Sequence, residues 1–272
     1  MSDTLTVSNR RWSPWIRAIF GFVLYFIVSF VPGILLSPLS ELMDYEIFVM
    51  VAAPIALIIE ILFIYLLMRY IDRRPFSILQ LKFDGHALKT FALVFLATGV
   101  IYSLGAILAN YFFPIEWDVP IEARKTWAML VPAFFSAFFV QGIPEEIMFR
   151  AYLPQTLVTT PIKTMLISSI MFMLLHFLFV FSLSGIELII EFFYPFAFGM
   201  FAFVTRYITR TTWAAIAVHG GIHMFRNVFE IQGYFPYMYS SLFIGLFFFI
   251  SAMVFFYIHR EKFTAENNQL EY

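Results

Sequence analysis

Apolar runs of about 20 residues follow one another along most of this chain, beginning near Trp15 and ending near His259. An α-helix of that length crosses about 30 Å of hydrocarbon. In lipid every backbone N–H and C=O must find its partner inside the protein, so these runs are expected to be membrane-spanning helices. Eight are expected, at approximately 15–36, 47–69, 89–113, 127–152, 162–183, 185–206, 211–230 and 237–259. The seventh is the most polar of them, which suits a helix facing protein rather than lipid. The first run has the length of a full span rather than of a cleavable leader.

The composition agrees with an all-α polytopic membrane protein: 61% of residues are hydrophobic, 21% aromatic and 13% charged, about half the charged fraction of an ordinary soluble domain. A net charge of −1 without Lys/Arg clusters leaves no footprint for nucleic acid. The absence of cysteine excludes disulfides, thiolate metal ligands and a cysteine nucleophile. Lys and Arg gather on the cytoplasmic side of membranes. With eight alternating spans, only Arg124, Lys125 and Arg226 of the 17 Lys and Arg fall on the opposite side, so both termini are expected in the cytosol. A single membrane domain over 15–260 is expected between short cytoplasmic tails at 1–14 and 261–272. Residues Pro75 to His86 alternate apolar and polar and suit either an interfacial segment or a plain loop.

Against this background the run Gln141-Gly142-Ile143-Pro144-Glu145-Glu146-Ile147-Met148-Phe149-Arg150 stands out. A charge at mid-bilayer costs roughly 2.5–3.5 kcal/mol even on lenient scales, which makes an intramembrane ionisable residue a functional candidate. Residues four apart share a helix face, so Glu146 and Arg150 form a natural pair, while Glu145 points elsewhere and is free to act as a general base or acid. Gly142 and Pro144 suggest a distorted or broken helix. Three of the five histidines also fall inside spans: His176 in the fifth, and His219 and His223 in the seventh, where Asn227 continues their face. Phe149 and Phe172 flank these polar residues and are the two phenylalanines placed to line a substrate site. Glu60 and Glu191 are also intramembrane, with no role assigned.

The set Glu-Glu-x-x-x-Arg at 145–150, Phe-x-x-x-His at 172–176, and Trp213-Ala-Ala-Ile-Ala-Val-His219 with a polar residue four later resembles the CPBP family. These are the CAAX proteases and bacteriocin-processing enzymes, also called Abi or type II CAAX prenyl endopeptidases. The likeness covers about residues 120–230. It implies an eight-helix intramembrane peptidase with a cavity open to the cytosol. It further implies that Glu145 and His176 activate water, that Glu146 and Arg150 hold their helix, and that a third-motif pair stabilises the oxyanion. That pair is commonly His-x-x-x-Asn in the family. Here both His219 with His223 and His223 with Asn227 fit, the first keeping the spacing and the second the residue types.

The implied substrate is a peptide or protein, lipidated or membrane-inserted, met at the cell membrane. Zinc is the metal such a site would take, through Glu145, His176 and His219. No His-Glu-x-x-His helix is present, however, and Glu145 with His176 can activate water directly, so no metal is expected. Other hydrolytic designs lack their parts: there is no Gly-x-Ser-x-Gly elbow, and Asp44, Asp72, Asp84 and Asp118 lie outside the expected spans. The competing reading is a non-catalytic scaffold or bacteriocin self-immunity protein on the same fold.

Overall fold

A computed structural model of the chain describes residues 12–114, 129–157, 159–179, 183, 185–231 and 238–264. Most of both tails lies outside these residues, as does the segment carrying Glu116, Trp117, Asp118, Glu122, Arg124, Lys125 and Trp127. Among the described residues there is no strand. Helices occupy all eight expected segments: α1 Pro14–Glu41, α2 Tyr45–Asp72, α3 Gly85–Phe112, α4 over 130–157, α5 Pro161–Leu175, α6 Gly185–Thr209, α7 Thr212–Ile231 and α8 Met238–Ile258. Of these, α1, α2, α3, α6 and α8 are long and apolar enough to cross a membrane, and α5 is a shorter apolar helix. The chain is thus a multi-pass membrane protein.

The starts of α1, α3 and α5 have local causes. Pro14 and Pro161 sit in first turns, where a missing N–H costs nothing, behind Ser13 and Thr160, whose hydroxyls accept from Ile16 and Lys163. Asp84 caps α3 by accepting from the Ala87 N–H at 3.0 Å. That bond, with Lys82 nearby, holds its carboxyl below the usual carboxylate range.

Apolar side chains cover the outside. On α3, Leu93, Leu96, Val100, Leu104 and Ile107 are all exposed and recur every three or four residues, so one face of the helix is built for hydrocarbon. Helix α7 is the opposite case. Ala214 through His219 are fully buried, enclosed by α3, α4 and α6, as the polarity of this segment led one to expect.

Helix α4 is distorted, but not broken. It is α-helical over Leu130–Phe135, widens into π-helical turns over Ser136–Gly142, tightens over Ile143–Glu146, widens again over Ile147–Tyr152 and ends α-helical over Leu153–Leu157. Pro144 removes one N–H from the ladder, and π turns are a way for a helix to absorb such a fault while continuing. The two glutamates sit on the short tight stretch between the wide ones. There α4 meets α7 backbone to backbone: a methyl group on Gly142 would lie 3.1 Å from the Gly220 N, and one on Gly220 would lie 2.1 Å from the Phe138 ring. Only hydrogen fits at this crossing.

One sequence expectation is corrected at a helix end. Asp72 lies in the last turn of α2 rather than in a loop, and there it accepts a hydrogen bond from buried Arg17. A carboxylate at the end of an apolar helix stays buried because a cation from α1 meets it. The 75–86 segment, expected as either an interfacial segment or a plain loop, is tied to the helix bundle. Four successive carbonyls are taken up by the ends of α4 and α7: Ile78 by Gln155 Nε2, Leu79 by Thr212 Oγ1, Gln80 by the Thr212 N–H and Leu81 by Trp213 Nε1. Arg206, at the end of the sixth expected span, is buried and donates from Nε to the same Thr212 hydroxyl.

Candidate active site

Helix α4 delivers Glu145, Glu146 and Arg150, α5 ends at His176, and α7 delivers His219 and His223. Glu146 is fully buried and Oε1 accepts twice, from Arg150 Nη1 at 3.0 Å and from His219 Nδ1 at 2.8 Å. Arg206 lies within electrostatic reach of the same carboxylate. The Arg150 guanidinium is fixed from both sides. It stands 4.1 Å from the centre of the Phe172 ring, and its Nη2 would lie 2.5 Å from a methyl group on Gly199. A glycine on α6 is therefore what makes room for it.

The His219 contact sets its tautomer. A carboxylate oxygen accepts, so Nδ1 carries the proton and Nε2 presents a lone pair. That lone pair faces Glu145, with Nε2 4.0 Å from Oε2. The separation is too long for a hydrogen bond. The gap has room for one water at roughly 2.8 Å from each atom, placed to donate a hydrogen to both. Among the described residues neither atom has a hydrogen-bond partner, and neither do Glu146 Oε2 and Arg150 Nη2. Buried polar atoms are normally satisfied, so four unsatisfied ones on three adjoining side chains and a neighbour mark a polar chamber. Glu145 is the most open of the group, with 16% of its side chain exposed against 0–1% for its neighbours.

The remaining expected residues lie around this chamber. His176 donates from Nδ1 to the Phe172 carbonyl at 3.1 Å, and its ring stands edge-on to Phe172 at 4.9 Å. Its partner is thus its own helix; among the described residues the ion contact of Glu145 goes to His219 instead. The His223 ring lies 5.1 Å from that of His219 and is half-buried. Asn227 donates its amide to the His223 carbonyl at 2.7 Å, along its own helix. Phe149 and Phe172 have no exposed surface. Phe172 packs on Arg150, His176 and His219, and Phe149 on Phe22, Tyr25 and Phe172. Both act as backing for the polar groups, and in this conformation neither offers a surface to substrate.

The sequence drew attention to Glu60 without giving it a place. The structure buries it on α2, hydrogen-bonded by the Tyr25 hydroxyl at 2.8 Å and within electrostatic reach of Glu145. Tyr25 carries no motif and could be found only through its partner. Gly199 was missed for the same reason: its role is space for a side chain 49 positions away. A metal would need three donors converging on one point. Among the described residues no three His, Cys, Asp or Glu side chains do so, so Glu145, His176 and His219 as placed do not form a zinc site.

No curated protein matches the chain. Residues 126–225, which contain α4 from its first described turn, α5, α6 and the site half of α7, match the type II CAAX prenyl endopeptidase Rce1-like family. The matched residues carry all three motifs and every charged and imidazole group of the chamber, so over this part the chain is similar to the CAAX protease family that the motifs resemble.

Proposed function

We propose that this protein is an intramembrane endopeptidase of the cell membrane. It crosses the membrane eight times with both termini in the cytosol, and it hydrolyses a peptide bond of a peptide or protein substrate near the cytosolic face. The observation that carries the proposal is the 4.0 Å gap between Glu145 Oε2 and His219 Nε2, both unsatisfied, beside the buried Glu146–Arg150 pair.

A water in that gap donates one hydrogen to each group and turns a lone pair outward. Glu145 takes the proton as the water oxygen attacks the carbonyl carbon, and charge develops on the carbonyl oxygen. Glu145 returns the proton to the leaving nitrogen as the C–N bond breaks. Glu146 orients the His219 ring through Nδ1, much as a buried carboxylate orients imidazole in hydrolytic triads. Arg150 holds Glu146 in place through its Nη1 hydrogen bond. The family likeness gives His176 a share in activating water. His223, the more open imidazole of α7, is the donor we assign to the oxyanion, with Asn227 fixing the helix backbone behind it.

The experiment is cleavage of a CAAX-type reporter peptide by purified protein in bilayers. Glu145→Gln, Glu145→Ala and His176→Ala should each lower kcat at least 100-fold, the scale of a general acid–base contribution, with an unchanged gel-filtration profile. His223→Ala should cost more than Asn227→Ala. Prior dialysis against a chelator should leave the rate unchanged. Full turnover by Glu145→Gln would refute the mechanism, whereas complementation of a deletion strain by Glu145→Ala would favour a non-catalytic scaffold or immunity protein.

A further inference from the structure

A second polar feature lies away from the chamber, where α2 ends. Tyr65, Met68, Arg69, Tyr70, Arg73, Arg74, Pro75 and Phe76 enclose a cleft of about 920 Å³. Three of its residues are arginines within six positions. Arg69 and Arg73 are exposed, and among the described residues neither has a carboxylate within ion-pair distance. The one nearby acid, Asp72, is buried and engaged by Arg17. Arg74 is fixed in the wall by a hydrogen bond to the Gln155 carbonyl.

Arg73 adopts φ 54°, a left-handed conformation costly for a side chain of this kind, and this turns the chain sharply between two guanidinium groups. The same cleft is lined by the Tyr65 and Phe76 rings, 6.0 Å apart. Cationic forks beside aromatic rings, with Tyr65 on an apolar helix, match an amphiphile with an anionic head. Arginine is suited to phosphate because its planar fork binds two oxygens at once. Basic pockets at the cytosolic ends of spans hold such headgroups.

We propose that this cleft binds the phosphate group of an anionic phospholipid, with Arg69 and Arg73 as the ligating side chains and Tyr65 and Phe76 against the glycerol and upper acyl chain. The proposal is independent of the peptidase chemistry, because none of these residues touches the chamber. The test is native mass spectrometry of the detergent-purified full chain, titrated separately with dioleoylphosphatidylglycerol, dioleoylphosphatidylcholine and inorganic phosphate.

Wild type should retain one phosphatidylglycerol tightly. Arg69→Gln/Arg73→Gln should weaken that retention at least tenfold, and Lys163→Gln, which alters an exposed charge elsewhere, should not. Equal retention by the double variant, or of phosphatidylcholine, overturns the proposal. So does arginine-dependent binding of inorganic phosphate as tight as that of the lipid, which would assign the cleft to a soluble phosphate. If the double variant does not fold, Arg73→Gln alone carries the comparison.

Discussion

Glu145 and Glu146 are adjacent in sequence and opposite in circumstance. Glu146 accepts from an arginine and a histidine and has no exposed surface; Glu145 has one imidazole at a distance that leaves room for a water. Removing one member of a buried ion pair leaves the other charged and unpaired, at a cost of about 3–5 kcal/mol. Glu146→Ala is therefore expected to lower the unfolding free energy by that order in a denaturant titration in micelles. Glu145→Gln is expected to leave it within about 0.5 kcal/mol, because a half-open side chain without a hydrogen bond at Oε2 loses little. Equal losses from both would mean that the two glutamates share one structural task. The division was legible in the sequence from the four-residue spacing alone. The His219 contact was not, since nothing local fixes how two helices 73 residues apart are rotated towards each other.

At the scale of the element, the site depends on α4 and α7 approaching closely. Gly220 and Gly221 leave room on α7 for such an approach, but the partner ring, Phe138, did not stand out among 37 phenylalanines. Gly220→Ala would set a methyl group 2.1 Å from that ring. Overpacking of this kind costs about 1–3 kcal/mol. The expected result is a thermal midpoint lowered in Gly220→Ala and largely recovered in Gly220→Ala/Phe138→Ala, where the space is returned. Failure of the second change to rescue would place the strain at Gly142 instead. The π turns of α4 were only half legible. Proline inside an apolar run announced a fault, but whether the helix kinks, breaks or widens is decided by what its neighbours can pack against.

Across the whole molecule, helix positions were legible because a bilayer imposes one length on every span, whereas the route of the chain between spans was not. Orientation rests on Lys and Arg placement, and the absence of native cysteine makes it directly measurable. Single cysteines at Ser2 and Asn267 should label with a membrane-impermeant maleimide only after cells are opened, and one at Ser40 should label in intact cells; the reverse pattern inverts the topology. The clamp on residues 78–81 also has a consequence in time. Its donors Thr212 and Trp213 follow their acceptors by 133 and 132 positions. At synthesis rates of about 5–20 residues per second, the Leu79, Gln80 and Leu81 carbonyls wait roughly 7–27 seconds before their partners are made, and Ile78, whose partner Gln155 follows by 77 positions, waits less. A ribosome-bound chain arrested before Thr212 should be cut by protease between Phe76 and Phe83, and a chain arrested after α8 should resist. Until then water or the translocon must satisfy those carbonyls, so this end of the helix bundle cannot close before α7 is made.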